Sequence, residues 1–559
     1  MCILTSFMST PFEILRSMNS HPSFLLYKDV FFPVPHRTSV EDMALSTTFL
    51  TLQAALPCVV ILLSLGILIH RRWLFNHSQR PPGPTSLPLI GNLLQIPSNS
   101  PEHVFRNWFA VYGDVVFFRI FHQPTVLLNT FEAAQDLLEK RGAIYSDRPR
   151  FVLFSELMGW QNASTHVPYG PRFRKHRRFI HQTFNQQAAQ FLKPIQEKET
   201  LTLIKGLMTT PEHFSRHLRR FAAATILKVT YGAEVTSVDD LYIQLAERAG
   251  TLTVQSGTPA ATLVDFFPFM RHIPTWAPLA GFKRNAAVVK EAVDRMMNVP
   301  YEMVKREMES GKASPCLTSR LLERYRHSPA MSLSFEDEED IKGVAGTMFS
   351  AAEDTTISVS TTFILAMVLH PRVFKKAQEE MEGLIGRDSL PSTEDRPSLP
   401  YFECVLKEVL RWNPPVPLGL PHRVMEDDVY RGYHIQKGTT VLANIYSILK
   451  SCPHPDLFYP ERYLEQNDLV DPFEVVFGFG RRRCPGRHFA DTGLWLSLAT
   501  VVATMDISKS IDDQGRDVVP EVAFKSGFVR HPKPFTCTII PRSGSIERII
   551  ESCVSQVND

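Results

Sequence analysis

Phe477-Gly478-Phe479-Gly480-Arg481-Arg482-Arg483-Cys484-Pro485-Gly486-Arg487-His488-Phe489-Ala490 is the stretch whose reading decides the fold. Three of nine successive residues, from Gly478 to Gly486, are glycine, which permits a tight loop and close backbone approach. Cys484 stands between that loop and an apolar run, Leu494, Trp495, Leu496 and Leu498, that reads as a helix. A thiolate just ahead of a helix N-terminus and among arginines is electrostatically favoured. Such a sulfur suits an axial ligand to haem iron. Spacing alone leaves a second reading equally open, a buried free cysteine in a basic, anion-binding loop.

The other cysteines offer no competing site. The eight Cys of the 559 residues form no CxxC pair and no zinc-like cluster, and they are too sparse for a disulfide scaffold. Hydrophobic residues make up 44% and charged residues 21%, enough apolar material for a large core and too much for a disordered or fibrous chain. The formal net charge of +2 gives no global reason to expect a nucleic-acid partner. No GxGxxG precedes a helix and no Walker motif occurs, so a nucleotide-binding βαβ fold has no support.

Outward from the cysteine loop, helical periodicity dominates from Pro171 to about Arg411. It predicts helices near 186–208, 213–231, 284–308, 335–370, 371–386 and 400–411. Val115 to Ile120 and Thr125 to Leu128 read as a strand pair, and strand signals return at Val429–Ile435 and Thr439–Ala443, with turns at Arg431-Gly432 and Lys437-Gly438. The expected fold is mainly α with small β-sheets. Residues 43–69 carry no charged side chain. Their most apolar part, Phe49 to Ile69, would span about 32 Å as a helix, against roughly 30 Å of hydrocarbon. Arg71 and Arg72 follow it and Glu41 and Asp42 precede it, which orients the C-terminal bulk toward the cytoplasm. The expected organisation is a leader of uncertain status at 1–42, a membrane anchor at 43–72, a proline-rich hinge at 73–87, a catalytic domain at 88–545 and a tail at 546–559.

The cysteine loop resembles the haem-binding loop of the cytochrome P450 superfamily, F-x-x-G-x-R-x-C-x-G, and Phe477, Gly480, Arg482, Cys484 and Gly486 match every fixed position. The resemblance spans about residues 80 to 540. It implies a P450 fold holding haem b, with Cys484 as the thiolate ligand to the iron, Arg482 paired with a haem propionate, Phe477 packed beside the sulfur, and glycine-loop amides donating to it. Glu408 and Arg411, three residues apart in KEVLRW, resemble the family's E-x-x-R pair; Arg462, in Pro460-Glu461-Arg462-Tyr463, resembles its partner. The implied Glu408–Arg411–Arg462 network supports the core. Tyr169 to Arg178 is similar to the family's W-R-x-x-R-R helix, with Phe173 in place of Trp; this implies Arg174 and Arg177 as propionate ligands and one indole donor fewer. His422, in Leu420-Pro421-His422-Arg423, is a further implied propionate ligand.

The distal helix contains Ala351-Ala352-Glu353-Asp354-Thr355-Thr356, similar to the family's A-G-x-D/E-T-T. Asp354 and Thr355 align with the acid and alcohol that relay protons through water. Ala352 replaces the usual glycine, and Glu353 is either an added proton route or a side chain turned away. The implied pocket draws apolar residues from about 151–168 and 250–282, including Phe151, Phe154, Met158 and Phe266, and from Met348 on the distal helix. Phe266-Phe267-Pro268-Phe269 and Trp276 would dip into a membrane surface.

The motif wording most resembles fungal, mushroom-type secondary-metabolism members. It implies a monomeric monooxygenase of the endoplasmic reticulum membrane, acting on a hydrophobic small molecule, first a sesquiterpene-like one, with a polyketide or indole amine as alternatives. Electrons would come from a separate NADPH-cytochrome P450 reductase, with cytochrome b5 as a further donor. Two other readings stay open: a reductase-independent isomerase or peroxygenase, and a degenerate, non-catalytic haem binder.

Overall fold

Ser334 starts the longest helix by accepting a hydrogen bond from the Asp337 amide while the Asp337 carboxylate takes the Ser334 amide, a reciprocal cap that satisfies two orphan donors. The computed structural model describes residues 80–558 except 258–261, 327–331 and 467, together with Ser64. The helices of ten residues or more are α1 (Pro101–Tyr112), α2 (Pro171–Phe184), α3 (Lys193–Thr209), α4 (Phe214–Tyr231), α5 (Leu241–Ser256), α6 (Gly281–Glu309), α7 (Leu317–Arg326), α8 (Phe335–Leu369), α9 (Pro371–Ile385), α10 (Pro400–Trp412), α11 (Arg487–Thr504) and α12 (Gly544–Asn558). Strands β1 (Val115–Ile120), β2 (Gln123–Leu128), β3 (His422–Arg423) and β6 (Thr440–Ala443) make a sheet in the order β1-β2-β6-β3. Strands β4 (Asp428–Tyr430) and β5 (Tyr433–Ile435) pair as a hairpin, and β7 (Met505–Ile511) lies between β8 (Asp517–Val518) and β9 (Cys537–Pro541).

Helix α8 organises the body. Its N-terminal half (Ile341, Val344, Ala345, Met348, Phe349) belongs to one core with residues of α4, α5 and α6. Its C-terminal half (Val359, Phe363 to Val368) belongs to another with α3, α9, α10 and α11. Between the two halves, Ala351 is exposed in mid-helix and Thr355 is half-buried, so one face of α8 borders open space. The chain from Asn162 to Ser164 crosses the N-terminal half so closely that a Cβ on Gly343 would sit 2.1 Å from the Asn162 carbonyl oxygen. Among the described residues, α8 alone is long and apolar enough to cross a membrane, but its most apolar window is two-thirds buried within the protein. It is a core helix. The anchor expected at 43–72 lies outside the described residues.

The strand signal at Val429–Ile435 is a hairpin, with Arg431 (φ 50°) and Gly432 (φ 82°) making the expected turn between β4 and β5. The expected hinge at 73–87 includes a fixed part: the Phe117 amide donates to the Pro82 carbonyl at 2.8 Å, and Asn92 Nδ2 donates to the Pro84 carbonyl at 3.1 Å. The expected tail at 546–559 begins inside α12, where Ile546 and Ile550, four residues apart on one helix face, are fully buried in the same core as α3.

Candidate functional site

The cysteine loop folds as its glycines require. Gly478 (φ 73°) and Gly480 (φ 55°) adopt left-handed backbone, and a Cβ on Gly480 would lie 2.0 Å from the Leu138 carbonyl oxygen. The loop closes through the Cys484 amide, which donates to the Phe477 carbonyl at 2.8 Å. Phe477 is half-buried and stacks on Phe473, with ring centroids 6.4 Å apart. Gly486 caps α11, and a Cβ there would lie 3.4 Å from the methyl of Met348 on α8. Met348, expected to line the pocket, instead helps seat α8 on the loop.

Burial pushes the Cys484 thiol above its usual value, while the Gly486 amide, Arg177 and Arg487 pull it down. Desolvation outweighs the field of the arginines that the sequence reading stressed. An electrophilic metal bound to the sulfur would replace the thiol proton.

Beside the loop lie the buried Arg482 and Arg148, the half-buried Arg177 and two uncharged histidines. Arg482 donates from Nε to the Ser146 carbonyl (2.7 Å) and from Nη2 to the Val167 carbonyl (2.8 Å), lies 3.7 Å over the Phe173 ring, and has Nη1 buried without a partner. Burial lowers its pKa to about 10. Arg148 donates to the carbonyls of Thr165, Leu420 and Pro421, and burial holds it well below the usual guanidinium value. Arg177 donates to the Arg483 carbonyl at 2.8 Å. His422 donates from Nδ1 to the Tyr145 carbonyl at 2.7 Å, and burial keeps it neutral. His166 has Nε2 buried without a partner, and desolvation lowers its pKa to about 3. The nearby carboxylate, Asp147, is taken by Arg423 Nε (2.9 Å) and the Tyr169 amide (2.8 Å). Arg148, Arg177 and Arg482 form no ion pair with any described carboxylate. Buried guanidinium groups without anions are costly, so this cluster fits an external group carrying carboxylates next to the cysteine. Haem, with two propionates, matches that donor set.

Arg174 does not join the cluster. It is exposed, and its side chain makes no hydrogen bond to a described residue. On α2 it is one residue, about 100° of helix, from Phe173, whereas Arg177 shares the Phe173 face. The rest of the basic run secures α2 to α8: Arg172 (2.6 Å), Lys175 (2.7 Å) and His176 (2.9 Å) all contact Asp340.

On α10, the fully buried Glu408 carboxylate accepts from Arg411 Nε (2.7 Å) and Nη2 (2.8 Å), from Arg462 Nε (3.1 Å) and from the Tyr459 amide (2.7 Å). The two arginines also donate to the carbonyls of Pro453, His454, Pro455 and Leu457. One carboxylate thus fixes the loop ahead of Arg462 to α10.

On the open face of α8, the Thr355 hydroxyl donates to the Ala351 carbonyl at 2.8 Å. Asp354 is not hydrogen-bonded to Thr355; its Oδ1 accepts from His531 Nε2 at 2.9 Å. Glu353 points the other way, to Arg219 of α4 at 3.2 Å. Burial raises its carboxyl to about 7, against the pull of Arg219. Phe151 and Met158, expected at the pocket, are buried, Met158 within the core that includes the N-terminal half of α8, while Phe269 and Trp276 are 71% and 82% exposed. Arg148, His166 and His531 escaped the sequence reading. Each sits in a loop outside any recognisable motif and is brought to the site only by the tertiary fold.

Comparison with known proteins decides the family. The cytochrome P450 family model matches residues 81–539. The chain belongs to the cytochrome P450 family. Curated relatives of this P450 include cytochrome P450 monooxygenase 136 of Postia placenta, 44% identical over 84% of this chain and 90% of the relative. Cytochrome P450 monooxygenase claR of Ampulloclitocybe clavipes is 40% identical over 88% of this chain and 91% of the relative. These are fungal P450 monooxygenases, and membership makes this chain an oxidoreductase of the haem-thiolate type.

Proposed function

We propose that this P450 is a membrane-anchored monooxygenase that hydroxylates a hydrophobic small molecule in fungal secondary metabolism. Its electrons come from NADPH through a separate cytochrome P450 reductase, with cytochrome b5 as an auxiliary donor. The observation that carries the reading is the juxtaposition of Cys484 with buried arginines that lack carboxylate partners. The names of the fungal relatives support the monooxygenase class.

In this reading Cys484 ligates the iron, and Arg177, Arg482 and Arg148 hold the propionates; His422, whose Nδ1–H goes to the Tyr145 carbonyl, joins them only by taking a proton at Nε2. Phe477 and Gly480 shape the loop, and Gly486 lets α8 approach it. The bound haem supplies the chemistry of oxygen activation and insertion into a C–H bond. The protein supplies position and protons. The Thr355 hydroxyl, whose proton goes to the Ala351 carbonyl, keeps its oxygen lone pairs free to accept from a water on the open face of α8. Asp354, the preceding residue, carries a carboxyl group that, once it has taken up a proton, can pass it to that water. The Glu408–Arg411–Arg462 network fixes the chain that supports the loop. The substrate is a sesquiterpene-like hydrocarbon skeleton, the class implied by the resemblance to fungal secondary-metabolism members. Residues 43–72 anchor the chain in the endoplasmic reticulum with the catalytic body in the cytosol, and exposed Phe269, Trp276 and Leu279 rest against the bilayer surface.

The test is co-expression with a fungal P450 reductase, feeding of sesquiterpene scaffolds, and mass spectrometry of the products. A product heavier by one oxygen atom, dependent on NADPH and labelled by isotopic O2, is the expected result. Turnover that proceeds without NADPH or reductase would overturn the monooxygenase reading in favour of an isomerase or peroxygenase.

A further inference from the structure

Asp354 has a partner that the acid–alcohol pair does not require. His531 Nε2 lies 2.9 Å from Asp354 Oδ1, and its side chain is 23% exposed against 48% for Asp354. The main chain that carries His531 is held firmly. Ser358, one helical turn beyond Asp354 on α8, donates from Oγ to the Arg530 carbonyl at 2.6 Å, and Asn413 Nδ2 donates to the same oxygen at 3.2 Å. The Arg530 amide donates to the Pro415 carbonyl at 2.8 Å, and the Lys525 amide to the His531 carbonyl at 2.7 Å. The Arg530 side chain is buried over Phe524 and Tyr446, with Glu102 at 3.8 Å. Fixed on both sides, the imidazole meets the carboxylate by construction and not by chance surface contact.

We propose that His531 is the solvent-side member of the proton path that reaches the reaction through Asp354 and Thr355. The inference rests on the monooxygenase reading and extends it. Bound to a carboxylate, Nε2 is the donor; Nδ1 bonds to no described residue and is free to meet water. A solvent proton arriving at Nδ1 lets the Nε2 proton pass to Asp354 Oδ1. The imidazole stays neutral overall, its N–H bond having moved from Nε2 to Nδ1, and exchange with water restores the first tautomer. Asp354 then releases its proton to the water at Thr355. Each transfer breaks one N–H or O–H bond and forms another. The reaction's two electrons come from NADPH through the reductase and are not carried by this path. Glu353 takes no part, because it faces Arg219 on the opposite side of α8.

His531→Gln keeps an N–H donor for Asp354 but cannot pass a proton. With full-length protein, reductase and an accepted substrate, this variant should keep the carbon-monoxide band of a thiolate-ligated haem and the parent's substrate affinity. It should release severalfold more hydrogen peroxide per NADPH and show a larger solvent deuterium isotope effect on product formation. Asp354→Asn should uncouple similarly, and the double variant should be no worse than Asp354→Asn alone. A His531→Gln variant that forms the normal pigment and couples like the parent would overturn the inference, as would effects that multiply in the double variant. An independent check reads the ring-¹⁵N histidine spectrum of the protein. One histidine should sit in the Nε2–H form and shift on Asp354→Asn. If no histidine shifts, the pairing is wrong even if His531→Gln fails to fold. Loss of the thiolate-haem band in the parent would instead overturn the underlying functional reading.

Discussion

Replacing Glu353 with Gln should stabilise this P450, and by an amount that grows with pH. The Glu353 carboxyl is 4% exposed, and burial raises its midpoint from 4.5 to about 7. The folded state therefore binds a proton more tightly than the unfolded chain. Stability from this group is fully present below about pH 4.5 and is lost as pH climbs through 7. The interval corresponds to about 3 kcal/mol once the carboxyl is fully ionised in both states. Glutamine matches the shape and carries no charge, and Arg219 keeps Glu247 at 3.9 Å as a counter-ion. Urea unfolding of parent and Glu353→Gln, in the same detergent from pH 5 to pH 9, measures the difference. The gap should be small at pH 5, widen through pH 7 and level off above pH 8, about 2–3 kcal/mol larger than at pH 5. A gap that does not change with pH, or that shrinks as pH rises, would refute the assignment of Glu353 as a buried, reluctantly ionised carboxyl.

Glu408→Ala strips both Arg411 and Arg462 of their shared anion and should cost about 3–5 kcal/mol. For a unit spanning residues 81–559, that lowers Tm by about 3–5 °C, measured by thermal melting. Gly480→Ala should abolish haem uptake, read as the haem-to-protein ratio after purification, because its Cβ would collide with the Leu138 carbonyl. Gly478→Ala, which meets open space at φ 73°, should still load haem at a cost of about 1–2 kcal/mol in stability. Removing residues 1–72 should release most of the protein from membranes on flotation, leaving only weak adhesion through Phe269 and Trp276.

What was legible in the sequence was local. The cysteine loop declares itself because its glycines, arginine and cysteine are consecutive and each is demanded by backbone geometry or buried charge. Glu408 and Arg411 share one turn of helix, so only Arg462 had to be found at a distance. Helices α4, α6, α8, α9 and α10 followed from their apolar period, α8 running from Phe335 to Leu369 against an expected 335–370. The expected 186–208, by contrast, is broken into Gln186–Phe191 and α3, and α1, α5 and α12 were not read from the period. Other features arise only when distant segments meet. Arg148 sits in a short polar loop, and only folding brings the Leu420 and Pro421 carbonyls to it. His531 acquires a role because Ser358 and Asn413 pin its neighbour against α8. Arg174 was separable from Arg177 by helical phase, since only the latter shares a face with Phe173 and Ile180. The upward push on the Cys484 thiol depends on burial depth, which neighbouring arginines in the sequence do not report.

The most direct measurement is the reduced carbon-monoxide difference spectrum of the full-length protein beside Cys484→Ser. The parent should show the red-shifted Soret band of a thiolate-ligated haem, and the serine variant should lose that band along with NADPH-dependent substrate oxidation. An unaltered band and unaltered oxidation in Cys484→Ser would contradict the assignment of this sulfur to iron.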